Sequence, residues 1–265
     1  MSPRQNRPMS ETSANLAAEL ASKDTVLGGG ASKSAGSHCA SLQSTSSHSM
    51  SSQNTGSQSA GSINVAALML AAGQSKRFNG IKQLAKVNGQ PMLLHTLTRL
   101  TDHGDLTREL CEFNLILGAN AAHISPHVPD YVSPCIFTQW QQGMGATLAF
   151  GVQKANRKSS HLLVTLADQV AITREQVTTM LHHCAANPEN IIAARYKGIL
   201  GAPVIFPRTY FSLLSELDAD TGARKILQQY SASVVAIDLP NAQFDIDTQL
   251  ELQQWHQSMG QDQKN

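Results

Sequence analysis

The chain has 265 residues, with 20 Lys or Arg against 19 Asp or Glu and a formal net charge of +1. That length suits one ordinary α/β domain with something added, and near-neutrality removes the electrostatic basis for binding nucleic acid or an anionic membrane. No apolar run approaches the roughly 20 residues of a membrane helix. Met1 to Asp24 lacks the apolar core of a secretory signal, and Cys39, Cys111, Cys135 and Cys184 are scattered without a C-x-x-C pair, so a reducing, cytoplasmic setting is expected.

Residues 1–62 read as a disordered tail. Asn15 to Ser22 can form a short helix, but from Gly28 onward the segment is Ser, Gly, Gln, Ala and His with almost no large apolar side chains. Such a composition cannot bury enough surface to offset chain entropy. His38 and His48 are too loosely spaced to suggest a metal, and Met50 offers an alternative start.

The folded part is expected over residues 63–258, with a polar tail over 259–265. It opens on the continuous apolar run Val65-Ala66-Ala67-Leu68-Met69-Leu70, the pattern of a buried parallel strand. The run breaks into a loop of small residues, Ala71-Ala72-Gly73-Gln74-Ser75, that carries Arg77 and Lys82. Open α/β sheets bind ligands at the carboxyl ends of their strands. Small residues there let the backbone approach a phosphate chain, and backbone N–H groups can hold an anion. The loop lacks the terminal Gly-Lys-Ser/Thr of a P-loop and the three spaced glycines of a dinucleotide fingerprint. An ordinary strand–turn with solvated cations is the plain alternative. The pattern L-A-A-G-x-S-x-R-F-x-G-x-K-x-L resembles the signature of the MobA-like NTP transferase family, the nucleotidyltransferases related to molybdenum cofactor guanylyl- and cytidylyltransferases.

Further along, Pro91 suits the first turn of a helix that carries Met92, Leu93, Leu94, Leu97 and Leu100 at helical spacing. Glu112 to Gly118 reads as the second strand, and Cys135 to Thr138 as a short one. Gly143 and Gly145 mark a tight turn into a helix bearing Thr147 and Leu148. A glycine-rich turn that opens a helix can offer backbone donors to an anion or a flat base, or be a plain helix start. The segment G-M-G-A-T-L resembles the family's G-M-S-x-S-L, which contacts the nucleotide.

His161 to Gln169 is the third strong strand, ending in Asp168. A carboxylate at that end can ligate Mg²⁺ bridging triphosphate oxygens or cap a helix, although Thr173 already reads as the next cap. L-A-D-Q-V resembles the family's L-x-D-Q-P, whose Asp binds the metal; Val170 stands where Pro is usual. A helix over Thr173 to Cys184 and a strand over Asn190 to Arg195 follow. Gly201-Ala202-Pro203-Val204-Ile205-Phe206 resembles the family's segment beside the acceptor substrate, which places Pro203 there. Asp220-Thr221-Gly222-Ala223-Arg224 reads as a capped helix start and resembles the D-x-G-A-R of the cytidylyl branch. Arg224 can meet an acceptor phosphate or pair on the surface. After an edge-like strand over Val234 to Asp238, Asp245 and Asp247 stand two apart, on one face of an extended segment. Asp247 or Thr248 can cap the last helix, and D-I-D-T resembles the family's metal-binding D-I-D-T-P-E-D-L.

These motifs occur in family order over about residues 63–257. The resemblance implies an α/β three-layer sandwich with a mostly parallel, Rossmann-like sheet of the nucleotide-diphospho-sugar transferase type. It implies transfer of a nucleotidyl group from an NTP, with pyrophosphate leaving. In that scheme Arg77 meets the phosphate chain, Lys82 the α-phosphate, and Asp168 with Asp247, then Asp245, hold Mg²⁺. Leu70, Ala71, Ala72, Gly73, Gly143 and Thr147 meet the nucleotide, and Arg224 and Pro203 the acceptor. Leu-Ala-Ala-Gly resembles the cytidylyl branch, the guanylyl branch having Leu-Ala-Gly-Gly, so CTP and molybdopterin or molybdenum cofactor are the expected substrates. A molybdoenzyme of the xanthine dehydrogenase type is the implied recipient. Transfer to a sugar or polyol phosphate, use of GTP, a cofactor-carrying chaperone and redox chemistry on a bound heterocycle stand as alternatives.

Overall fold

Val65–Ala71 (β1) lies fully buried near the middle of a seven-stranded sheet, and its alternating side chains define the layers. The other strands are Leu110–Leu117 (β2), Ser133–Ile136 (β3), His161–Leu166 (β4), Ile191–Tyr196 (β5), Ile199–Pro207 (β6) and Val234–Asp238 (β7). Their order is β7-β5-β6-β4-β1-β2-β3. Only β6 runs against its neighbours β4 and β5; the remaining pairs are parallel. The computed structural model describes residues 63–102, 105–106, 110–219 and 222–262. The expected tail over 1–62, with its helix at 15–22, His38, Cys39, His48 and Met50, lies outside the described residues, as do Asp220, Thr221 and residues 263–265.

Because successive strand side chains face opposite sides, Val65, Ala67, Met69 and Ala71 enter one core and Ala66, Leu68 and Leu70 another. The first core receives Leu93 and Leu97 from Met92–Leu97 (α1), Ile124 from Ala121–Ile124 (α2), and Val177, Met180 and Leu181 from Arg174–Ala186 (α4). The second receives Leu148 and Val152 from Met144–Lys154 (α3), Leu214 from Phe211–Ser215 (α5), and Ile226 and Leu227 from Arg224–Gln229 (α6). Two faces of helices on one sheet make the three-layer sandwich. Each fully buried Leu or Ile contributes about 1.5–3 kcal/mol of transfer free energy.

A third, smaller cluster joins Phe78, Val87, Met92, Val170 and Ile246 to Leu252 of Gln249–Asp262 (α7). It fastens the loop after β1, the loop after β4 and the head of α7 to one another. Residues 259–262, expected in a polar tail, continue α7. The strand expected over 135–138 is shifted to Ser133–Ile136, although the Phe137 amide still donates to the Leu117 carbonyl. Pro91 is the N-cap of α1 rather than its first helical residue. α6 starts after Ala223 with no side-chain cap, because Gly222 takes the left-handed conformation (φ +50°) and keeps the upstream chain out of the helix.

Candidate active site

β1 and β4 are parallel neighbours, so the loops leaving their carboxyl ends emerge side by side. The chain after Ala71 turns through Ser75 and Asn79, both in the left-handed region (φ 59° and 54°), and reaches a 3-10 turn at Lys82–Leu84. Gln83 is 4% exposed. Its Nε2 donates to the carbonyls of Ala71 (3.0 Å) and Gly73 (3.2 Å), and its Oε1 accepts from Ser75 Oγ (3.2 Å). On the β4 side, Gln169 Nε2 donates to the carbonyls of Ala202 and Ala242, which ties the Asp168 loop to β6. The Ile246 amide donates to the Asp168 carbonyl at 3.3 Å, so the segment carrying Asp245 and Asp247 is brought alongside.

The head of α7 explains how Asp247 is left free to face the loop. Thr248 Oγ1 accepts from the Glu251 amide, and Glu251 Oε2 accepts from the amides of Thr248 (2.8 Å) and Asp247 (2.7 Å). This is a capping box, with Thr248 as the cap and Glu251 as its acidic partner. The Asp247 carboxylate is thereby spared from capping. Its Oδ2 accepts from Arg77 at 2.6 Å and its Oδ1 from Lys82 Nζ at 2.8 Å. Lys82 also reaches Asp168 Oδ2 at 2.7 Å. Lys82 is the most enclosed of the group, with 13% of its side chain exposed, against 72% for Arg77.

Electrostatics follow from that arrangement. Burial works against the Lys82 charge, but Asp168 and then Asp247 more than offset it and hold its pKa above the usual lysine value. Burial likewise opposes the Asp247 charge, and Lys82 with Arg77 overcome it, so that carboxyl lies below its ordinary range. For Asp245, desolvation and the negative charges of Asp168 and Asp247 outweigh the Lys82 charge and push it up to about 6. Asp168 Oδ1 is buried without a hydrogen-bond partner. An orphaned carboxylate oxygen beside two further carboxylates suits a divalent cation. Among the described residues no three acidic, His or Cys side chains already converge on one point; the Lys82 ammonium stands between Asp168 and Asp247 instead.

These residues border a cleft of about 660 Å³, within the range of small-molecule sites. Leu70, Ala71, Ala72, Gly73, Arg77, Lys82, Gly143, Thr147, Asp168 and Asp247 all line it. Gly143 (φ 103°) makes the turn into α3, and Thr147 Oγ1 donates back to its carbonyl. Asp245 lies outside the lining, as does Arg224, which is exposed at the first position of α6. Pro203 is buried in β6 and borders a separate small hollow with Thr96, Leu100 and Gln169. Sequence reasoning gave no role to Gln83, Trp140, Gln141 or Met144, which also line the cleft. Met144, 52% exposed, is an apolar side chain left in the open at the start of a helix. Ala72 is 5% exposed and packs on Gly118, where any β-carbon would collide with Ala72 and Trp140.

The cleft lies at the carboxyl ends of parallel strands, where two cations on the loop after β1 face carboxylates from the loop after β4 and the head of α7. With a match of residues 67–234 to the model of the MobA-like NTP transferase domain, this arrangement is that of a nucleotidyltransferase. The chain belongs to that family. A relative from Shewanella putrefaciens, named molybdenum cofactor guanylyltransferase, is 26% identical over 201 residues, covering 73% of this chain and 96% of its own. The crystal structure of Rv0371c from Mycobacterium tuberculosis is 23% identical with a TM-score of 0.63, covering 73% of this chain and 97% of that one. Its complex with manganese gives 22% and 0.59, over 73% and 98%. The 4-diphosphocytidyl-2C-methyl-D-erythritol synthase of Anaerococcus prevotii is 13% identical with a TM-score of 0.60, over 75% and 97%. These likenesses show the nucleotide-diphospho-sugar transferase fold. No helix among the described residues is long and apolar enough to cross a membrane.

Proposed function

We propose that this nucleotidyltransferase moves CMP from CTP to molybdopterin or molybdenum cofactor, with a divalent cation, Mg²⁺, held by Asp168 and Asp247. The observation that carries the reading is the convergence of Arg77 and Lys82 with those two carboxylates beside the Ala71–Gly73 backbone. An acceptor phosphate oxygen attacks the α-phosphorus and pyrophosphate leaves. The protein has little covalent chemistry to do; it positions both substrates and offsets the charge that develops.

When bound, the cation supplies positive charge against the triphosphate oxygens. The manganese complex of a structural relative supports a divalent ion in this fold, and the orphaned Asp168 oxygen gives it a ligand here. Lys82 and Arg77 exchange their carboxylate partners for phosphate oxygens, Lys82 at the α-phosphate and Arg77 further along the chain. Leu70 to Gly73, Gly143 and Thr147 surround the base and ribose. Asp245 is the next carboxylate available to the metal site. Arg224 serves the acceptor, and Pro203 contributes by shaping β6 rather than by contact.

For the base, the support is Ala72, whose β-carbon narrows the space that a glycine would leave for a purine. The name of the Shewanella relative favours GTP as the second reading, and the synthase that carries the same fold favours a sugar or polyol phosphate acceptor as a third. The testing experiment is the thermal midpoint of the protein with CTP, GTP, ATP or UTP, with and without Mg²⁺. A ligand that binds only the folded state raises its stability. Selective stabilisation by CTP with Mg²⁺ is expected; selective stabilisation by GTP would transfer the assignment to the guanylyl reading.

A further inference from the structure

We infer that Gln83, a residue with no charge and no reacting atom, is the positioning residue that sets the nucleotide-binding backbone. The inference rests on the nucleotide reading of the cleft.

Three facts carry it. First, Gln83 is 4% exposed although it is polar and directly follows Lys82. A buried primary amide is costly unless its hydrogen bonds are made. Second, both ends of its amide are spent on the loop after β1. Nε2 donates to Ala71 and Gly73, one on each side of Ala72, and Oε1 accepts from Ser75 Oγ. Third, the Ala72 carbonyl between them accepts from the Ala119 amide at 3.1 Å. Three successive carbonyls are therefore each tied down, the outer two by one side chain and the middle one by the chain that follows β2.

Peptide geometry converts these bonds into a function. Among the described residues the single cis peptide is Ala202–Pro203, so the Gly73–Gln74 bond is trans. In a trans peptide the N–H points opposite to the C=O. With the Gly73 carbonyl held on Gln83, the Gln74 N–H points away from that side chain, and Gly73 and Gln74 both border the cleft. The Ser75 bond acts in the same direction. Ser75 has φ 59°, a conformation that costs energy for a residue with a β-carbon, and the Gln83 oxygen holds it there. Gln83 thus stores the bound geometry of the loop before the nucleotide arrives, and preorganisation is affinity that binding does not have to spend on ordering.

The test uses Gln83→Met, close in volume but without either polar group, and Ser75→Ala, which removes one of the three bonds and leaves the core intact. CTP and GTP affinities of the full chain are measured by titration calorimetry at 15 °C, with circular dichroism confirming that each variant is folded. For the nucleotide that the wild type prefers, Gln83→Met is expected to raise Kd at least tenfold and Ser75→Ala at least twofold, with Arg77 and Lys82 untouched. A folded Gln83→Met with wild-type Kd and a lowered thermal midpoint would reduce Gln83 to a packing residue and overturn the proposal. If Gln83→Met does not fold, Ser75→Ala decides: an unchanged Kd overturns it. Failure of the wild type to bind any nucleotide would defeat the nucleotide reading itself, and this inference with it, a result distinct from wild-type binding with unaffected variants.

Discussion

The Nζ of Lys82 lies 2.7 Å from Asp168 Oδ2 and 2.8 Å from Asp247 Oδ1. The cation assigned to the α-phosphate therefore rests on both carboxylates assigned to the metal. On the proposed assignment the Lys82 ammonium occupies Asp168 Oδ2 and Asp247 Oδ1 and leaves a divalent ion Asp168 Oδ1, so nucleotide that draws Lys82 away would free further ligand oxygens. Mn²⁺ affinity, read from the free-ion electron paramagnetic resonance signal, is expected to be weak without nucleotide and stronger with it. Lys82→Met should raise Mn²⁺ affinity in the absence of nucleotide by about tenfold, roughly 1.4 kcal/mol, and weaken CTP binding. Unchanged or weaker Mn²⁺ binding in that variant would mean that Lys82 does not compete for the site.

Ala72 packs between the cleft and Gly118. Removing its methyl group in Ala72→Gly is expected to lower the CTP-over-GTP preference about tenfold, since one carbon in a pocket is worth roughly 1–3 kcal/mol of discrimination. The ratio of kcat/KM for the two nucleotides measures it. An unaltered ratio would remove Ala72 from base selection.

Glu251 holds the amides of Asp247 and Thr248 with one oxygen. Glu251→Ala is expected to cost about 1 kcal/mol of stability as a lost cap and to weaken Mn²⁺ binding with nucleotide, because Asp247 loses its backbone anchor. Thr248→Ala removes the hydroxyl that bonds the Glu251 amide and carboxylate but leaves Glu251 its bonds to the two amides, and should cost similar stability with a smaller effect on the metal. Urea unfolding and Mn²⁺ titration separate the two effects, and equal metal affinity in both variants would contradict the anchoring role.

His95, 3% exposed in α1, lies 3.1 Å from the Val170 carbonyl, and Arg99 approaches the same nitrogen. Burial, then the Arg99 charge, lowers its pKa below the usual histidine value of 6.5. The unfolded chain therefore takes up this proton first as pH falls. The stability contribution is complete above 6.5 and is lost between there and the lower folded pKa. His95→Gln is expected to flatten the fall in urea midpoint between pH 7 and pH 5 relative to the wild type. Parallel pH profiles would show that His95 does not contribute to it.

Much of the fold was readable from apolar runs: Val65–Leu70 and His161–Leu166 have no polar alternation because both strand faces are covered, which is what a central parallel strand requires. The reversal of β6 was not readable, because Ile199–Pro207 shows the same apolar run whichever way it pairs. At the site, the charged residues stood out by type and motif. Their pairing did not, since Arg77 and Asp247 are 170 residues apart and meet only through the third cluster around Phe78 and Ile246. Gln83 escaped notice for the same reason: a glutamine beside a lysine reads as solvated surface until tertiary packing buries it. The last helix's cap was left between Asp247 and Thr248; the structure gives it to Thr248, because Glu251 three residues on answers it in a capping box.

The most direct measurement is pyrophosphate release by the full chain supplied with molybdenum cofactor, Mg²⁺ and CTP or GTP. Release in step with cofactor consumed, with CTP well ahead of GTP and abolished by Asp168→Asn, is the expected result. Release with GTP alone would contradict the cytidylyl assignment, and no release with any nucleotide would contradict transfer to this acceptor.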